Sequence, residues 1–332
     1  MKRSIIILFL LACTVVAFAQ KNPPQAKNRY GIALKEVNGA WEAAKPSAGG
    51  RFNNRTDTIP GFLVPYTPSR FMKEYGANVV SKEYVYKTIP GSGDKLKLYI
   101  DSPKGQGAGP FPCLLFIHGG AWTNGSPDEA KLVHLGAYMA SQGIAVARMA
   151  YSKNPQFNID NTLSDLDDVI AYIRQHAKEM NIDPNRMGVS GSSAGGHLSS
   201  YLAMTRPGIK ALISLCGPHN LVKQFEYMGE GGNRLLAYFK AEGGNTASLE
   251  KYSPIYNIPE TEKIPAILLI HGEWDTSVSF TQSVEMKAAL ESKGAKVQFY
   301  PVKYAGHAIF DEELGDYENV VRLIATFAKE HL

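Results

Sequence analysis

Met187-Gly188-Val189-Ser190-Gly191-Ser192-Ser193-Ala194-Gly195-Gly196-His197 passes from an apolar run, through a glycine-flanked turn, into a segment with Leu198, Tyr201 and Leu202 on one helical side. The order is strand, sharp turn, helix. Gly191-Ser192-Ser193-Ala194-Gly195 is a G-x-S-x-G, and a serine at such a turn sits on strained backbone with its hydroxyl exposed. Glycines two before and two after it are required because the turn leaves no room there for side chains. Neither Ser190 nor Ser192 has glycines at both flanking positions, so the register selects Ser193.

Outward from this turn, short apolar runs alternate with helical segments. The runs are Cys113 to Ile117, Ile144 to Ala150, Met187 to Val189, Ala211 to Leu215, Ala266 to Ile270 and Val297 to Val302. Helix-like stretches lie near Glu129 to Gln142, Leu163 to Asn181, Ala194 to Met204, Phe280 to Lys293 and Tyr317 to the C-terminus. Near-continuous apolar strands separated by amphipathic helices predict an α/β fold, a mostly parallel central sheet with helices on both faces. Tyr84-Val85-Tyr86 and Leu96 to Ile100, joined through Pro90 to Asp94, lead it as an antiparallel pair. In the stretch from Leu163, Thr162 reads as the cap, Asp165 stands in the first turn, and Val169, Ile170, Ile173 and His176 share one face.

Chemistry in such a sheet belongs at the carboxyl ends of the strands. A serine hydroxyl becomes a useful nucleophile only when a base takes its proton and a third group holds that base. Past the run ending at Ile270 stands His271-Gly272-Glu273-Trp274-Asp275, and past the run ending at Val302 stands Tyr304-Ala305-Gly306-His307. The chain order Ser193, Asp275, His307 is the one expected of a nucleophile, acid and base on this sheet. Glu273 competes for the acid role, His219 is the runner-up base, and His271 reads as structural. An acyl-transfer site also needs oxyanion donors. His118-Gly119-Gly120-Ala121-Trp122 follows the first parallel strand, where its small residues let backbone N–H groups point into the site, and the N–H of Ala194, next after the serine, completes the pair. Trp122 and Trp274, adjacent to these elements, are expected to line the substrate site. The histidines are scattered without ligand spacing, so no metal and no cofactor are implied.

Residues 217–263 form an insertion at the carboxyl end of a strand, where a cap belongs. Its aromatics, among them Phe225, Tyr238, Phe239 and Tyr252, read mainly as the small core of a two-helix cap. At the other end, Lys2-Arg3, an uncharged apolar run from Ile5 to Phe18 and Ala17-Phe18-Ala19 have the pattern of a secretory signal peptide over residues 1–19. The expectation is a secreted or periplasmic protein. Ala12-Cys13 offers the alternative of a lipoprotein anchored at Cys13, and the run is shorter than the ~20 residues of a stable membrane span. Residues 20–78 are an irregular, aromatic-bearing extension expected to pack on the domain at 79–332. Across 332 residues, 35 basic and 31 acidic side chains, with no run of five Lys/Arg, leave no electrostatic footprint for nucleic acid.

From about Ser81 onward these motifs, with Asp183-Pro184-Asn185-Arg186 before the turn, resemble the α/β-hydrolase family. They are most similar to its esterase branch, which includes hormone-sensitive-lipase-like and bacterial feruloyl or acetyl-xylan esterase-like enzymes. The resemblance implies a secreted serine carboxylic-ester hydrolase working through an acyl-enzyme on acetyl or feruloyl esters of plant-type carbohydrates. Ser193 would be the nucleophile, His307 the general base, Asp275 its orienting acid, and Gly120, Ala121 and Ala194 the oxyanion donors. Ala121 departs from the third glycine usual in the lipase-like branch, which leaves open which of Gly119, Gly120 and Ala121 donates. The strand order implied by the resemblance puts the Ser193 strand between Cys113 and Cys216. Two strand spacings of ~4.7 Å exceed the ~7 Å Cα limit for a disulfide, so both are expected as free, buried thiols. The alternatives are a prolyl-oligopeptidase-like serine peptidase and a non-catalytic binding protein on the same fold.

Overall fold

The computed structural model describes residues 34–37, 40–43, 68–105, 107–303, 305–309 and 317–332. The leader at 1–19, Cys13 and most of the 20–78 extension lie outside the described residues. Within that extension, β1 (Leu34–Val37) and β2 (Ala40–Ala43) pair as an antiparallel ribbon, and α1 (Pro68–Tyr75) leads into the main sheet.

That sheet has eight strands: β3 (Val79–Thr88), β4 (Lys95–Pro103), β5 (Phe111–Ile117), β6 (Ala145–Met149), β7 (Ile182–Ser192), β8 (Ala211–Leu215), β9 (Ala266–Gly272) and β10 (Val297–Val302). They lie in the order β10-β9-β8-β7-β5-β6-β4-β3, with only the β3–β4 and β4–β6 pairings antiparallel. The further helices are, in chain order, α2 (Ala130–Ser141), α3 (Ile159–Gln175), α4 (Ala177–Met180), α5 (Ala194–Thr205), α6 (Leu221–Met228), α7 (Thr246–Tyr252), α8 (Thr281–Ser292) and α9 (Tyr317–His331).

Every residue of β5, β6 and β8 is buried, because strands covered on both faces bury successive side chains on opposite sides. In β5, Cys113, Leu115 and Ile117 join the core that contains Leu198 and Leu202 of α5, while Leu114 and Phe116 join the one that contains Val320 and Ile324 of α9. Each such side chain contributes about 1.5–3 kcal/mol by leaving water.

Two helical expectations are corrected. Asn158, not Thr162, caps α3: its side chain accepts from Asp160 N and Asn161 N while Asn161 Oδ1 accepts from Asn158 N, a closed capping box. Thr162 lies inside the helix and is buried, its hydroxyl donating to Ser152 O. Asp165 is likewise buried, accepting from Ser152 N and from Lys87 Nζ, each at 2.7 Å. The stretch to Asn181 is not one helix. Backbone at His176 leaves helical geometry, and α4 ends at Asn181 in the left-handed region.

The segment after β8 contributes α6 and α7. Tyr238, Phe239 and Tyr252 are buried there, and Phe239 packs edge-on against Trp122, Phe225 and Tyr238. Tyr252 also donates to Asp160 Oδ1 of α3 at 2.6 Å, so this segment is tied to the sheet's own helices.

Candidate active site

Ser193 stands at the tip of the β7–α5 turn with φ 56° and ψ −120°, outside the regions that suit side chains. Close approach to β5 explains the flanking glycines. A Cβ on Gly191 would lie 2.4 Å from Gly195 O, and one on Gly195 would lie 2.0 Å from Ile117 O.

The neighbouring strand ends bring two further side chains to this hydroxyl. His307 Nε2 is 2.9 Å from Ser193 Oγ, and His307 Nδ1 is 2.7 Å from Asp275 Oδ2. Asp275 is fully buried, but its Oδ1 accepts from Ser277 N at 2.8 Å and Val278 N at 2.9 Å, and its Oδ2 also faces His271 Nε2 at 3.2 Å. Burial alone raises a carboxyl pKa; here the charge and hydrogen bonds of His307 and His271 outweigh it and hold Asp275 well below the usual carboxylate range. Burial likewise depresses His307, and the Asp275 carboxylate outweighs it to leave the ring above its ordinary value. A carboxylate on Nδ1 requires the proton there, which leaves Nε2 bare to accept from Ser193 Oγ–H.

Asp275, rather than Glu273, meets His307, and His307, rather than His219, meets Ser193. His219 is fully buried with both ring nitrogens unpartnered among the described residues, and burial pushes it down to about 3. His271, read from the sequence as structural, touches the carboxylate. Its position four residues before Asp275, at the end of a buried strand, was the available signal.

After β5 the backbone coils through three left-handed residues, Gly120 (φ 113°), Ala121 (φ 51°) and Trp122 (φ 57°). Thr123 N and Asn124 N close the loop on Gly120 O, and a Cβ on Gly120 would lie 2.2 Å from Asn124 O. Among the described residues the N–H groups of Gly120, Ala121 and Ala194 donate no hydrogen bond. Ala194 begins α5, where the first N–H groups have no partner within the helix. The geometry can therefore offer donors to an oxygen carrying negative charge beside Ser193.

A cavity of about 1110 Å³ opens over these groups, lined by Gly120, Ala121, Trp122, Ser193 and His307 on one side and by Gln224, Tyr227, Met228 and Arg234 on the other. Trp122 lines it while buried against Phe239. Trp274 does not. Its backbone N–H donates to Ala305 O at 2.9 Å, and the turn that aims Asp275 at His307 leaves the neighbouring indole outside the cavity wall.

Cys113 and Cys216 are free and buried, on β5 and just after β8, with β7 between them. Cys216, His271 and Asp275 place ligand-type atoms within 4.8 Å of one another. Those of His271 and Asp275 are already committed, to Ser283, Val278 and His307, so the group does not read as a metal centre.

Strand order, serine elbow, Ser193–His307–Asp275 constellation and adjacent unpaired amides define an α/β-hydrolase with serine-hydrolase geometry. The chain belongs to the BD-FAE family, which it matches over residues 97–290. It is 28% identical over 278 residues to an isoprenylcysteine alpha-carbonyl methylesterase of Arabidopsis thaliana, across 78% of this chain and 62% of that protein. The chain spans about three fifths of the length of the curated relatives it matches. Among solved structures, the fold is similar to a truncated carbohydrate esterase from gut microbiota (TM-score 0.64, 23% identity, 76% of this chain and 97% of that one). It is similar also to the apo form of Thermogutta terrifontis esterase 2 (TM-score 0.64, 25% identity, 75% and 94%).

Proposed function

We propose that this protein is a serine carboxylic-ester hydrolase that works through an acyl-enzyme, with Ser193 as nucleophile, His307 as general base and acid, and Asp275 as orienting carboxylate. The observation that carries it is His307, hydrogen-bonded at once to Ser193 Oγ and to buried Asp275. In the reaction, Oγ forms a bond to the ester carbonyl carbon as its proton passes to His307 Nε2. The carbonyl oxygen becomes an oxyanion facing the N–H groups of Gly120, Ala121 and Ala194, each such donor being worth ~3 kcal/mol of barrier. His307 returns the proton to the departing alcohol, and a water then repeats the sequence on the acyl-enzyme to release the acid.

For substrate we infer acetyl or feruloyl esters of plant-type carbohydrates. Membership of the BD-FAE family supports it, as does a cavity far larger than an acetyl group and walled by both aromatic and polar side chains. The leader pattern at 1–19 supports export to where such polymers are met, with a lipid anchor at Cys13 as the alternative.

The test is a panel of p-nitrophenyl acetate, methyl ferulate, acetylated xylo-oligosaccharide and an aminoacyl anilide. Cleavage of the three esters is expected and is to be lost in Ser193→Ala. Anilide cleavage without ester cleavage favours a peptidase, and activity surviving in Ser193→Ala overturns the nucleophile.

A further inference from the structure

Two histidines share one oxygen of Asp275. His307 Nδ1 approaches Oδ2 at 2.7 Å and His271 Nε2 approaches it at 3.2 Å. His271 lies at the end of β9 with no exposure, and its Nε2 also faces Val278 O at 3.1 Å. Two acceptors before one ring nitrogen require that nitrogen to carry a proton. The other nitrogen, Nδ1, is 2.7 Å from Ser283 Oγ, in the first turn of α8. In the neutral ring Nδ1 is an acceptor, and the Ser283 hydroxyl donates to it.

We propose that Ser283 and His271 are positioning residues for the ester hydrolysis: the Ser283 hydroxyl fixes the tautomer of His271, whose Nε2–H then holds the Asp275 carboxylate against His307. The proposal rests on Ser193, His307 and Asp275 acting as the triad. Both carboxylate oxygens are occupied. Oδ1 takes the Ser277 and Val278 amides, and Oδ2 takes the two rings, so the carboxylate is held against rotation.

The arrangement also divides the carboxylate's charge. A second donor on Oδ2 weakens the pull of Asp275 on the His307 proton. The groups that face His271 are Asp275, the Cys216 thiol and the buried neutral His219, and Lys131 is the further charge felt by His307. A hydroxyl donating to Nδ1 makes Nε2–H the stronger donor, which is the logic by which outer partners orient histidines in other sites. Removing that hydroxyl strands Nδ1 in a buried place and frees the ring to take the other tautomer, which would turn a lone pair toward Asp275.

The experiment compares wild type, Ser283→Ala and Ser283→Cys on p-nitrophenyl acetate between pH 5 and 9, with active sites counted by a fluorophosphonate probe and folding followed by thermal melting. Ser283→Ala is expected to melt cooperatively, to lose about three- to tenfold in kcat per labelled site with KM little changed, and to move the acidic limb of kcat/KM upward, since one lost hydrogen bond is of that size. Ser283→Cys, which restores a weaker donor, is expected to fall between the two. A kcat and an acidic limb that stay at wild-type values, whether or not the melting temperature drops, overturn the proposal. Failure of the triad reading looks different: wild type then takes up no probe and cleaves no ester.

Discussion

Trp122 Nε1 donates to His197 Nδ1 across 3.2 Å, fastening the loop after β5 to the first turn of the helix that follows Ser193. His197 is fully buried, and burial pushes it down to about 4, so it is neutral at pH 7. With Nδ1 accepting from the indole, Nε2 carries the proton and donates to Tyr252 O at 2.8 Å. One neutral ring thus joins the Gly120–Trp122 loop, the serine helix and the end of α7.

Trp122→Phe keeps an aromatic body against Phe239 but leaves His197 Nδ1 buried without a donor. An unmet buried acceptor costs about 1–3 kcal/mol. The melting temperature should fall by several degrees, and kcat should fall more than KM rises, because Gly120 and Ala121 lose the anchor that keeps them beside Ser193. Thermal melts and steady-state kinetics on one ester measure both.

Asp275→Asn should lower kcat by about 10⁴-fold, the scale known for this replacement in a serine triad. The pH dependence has a definite sign. His307 is raised above its ordinary value of 6.5 by Asp275, and the base must be neutral, so wild-type kcat/KM should reach half its plateau above pH 6.5. In Asp275→Asn the residual activity should reach half its plateau at lower pH, because burial then acts on His307 without the opposing carboxylate. A limb that stays in place detaches Asp275 from the base.

Three buried histidines make a stability prediction. Burial lowers His118 and His197 to about 4 and His219 to about 3, against 6.5 in the unfolded chain. Between about pH 4 and 6.5 the unfolded chain binds more protons at these sites, so folding stability rises with pH over that window. Asp275, depressed below 3.8, adds in the same direction only at lower pH, and His307 opposes weakly. Urea midpoints should therefore be clearly lower at pH 5 than at pH 7.5.

Cys113 and Cys216 should both resist thiol reagents in the native protein. Both are buried, and Cys113 is pushed up to about 12, leaving almost no thiolate. Peptide mapping after labelling should find neither modified until denaturant is added, and both as free thiols afterwards. Recovery of a Cys113–Cys216 bridge would contradict the strand order β8-β7-β5.

The sheet and the serine turn were legible because their signals are local. Apolar runs such as Cys113 to Ile117 bury both faces, and glycines at 191 and 195 are demanded by atoms within a few ångströms. Thr162 was misread as a cap because Asn158 and Asn161 close a capping box whose pairing depends on side-chain geometry four residues earlier, while Thr162 answers to Ser152 and Tyr238. The position of Trp274 outside the cavity wall and the approach of His271 to Asp275 were hidden for a related reason. Both are set by how the β9 and β10 ends pack, with Trp274 N held by Ala305 O, and neither contact leaves a periodic trace in the chain.

Gly195→Ala gives the sharpest test of how the serine turn is built. Gly195 is in the first turn of α5, and its added Cβ would meet Ile117 O at 2.0 Å and His118 O at 2.7 Å. Both obstacles are backbone, so no rotamer change relieves them. The end of β5 and the serine helix must move apart. Ser193 would then separate from Gly120 and Ala121, which ride on the loop after β5, while His307 and Asp275, carried by β10 and β9, stay where they are. A displacement of about 1 Å between reacting groups can cost on the order of 10²-fold in rate. The variant should therefore lose about that much in kcat, melt at lower temperature, and still react slowly with a fluorophosphonate probe. Near wild-type kcat in a folded Gly195→Ala protein would mean that the turn does not set the distance between nucleophile and oxyanion donors.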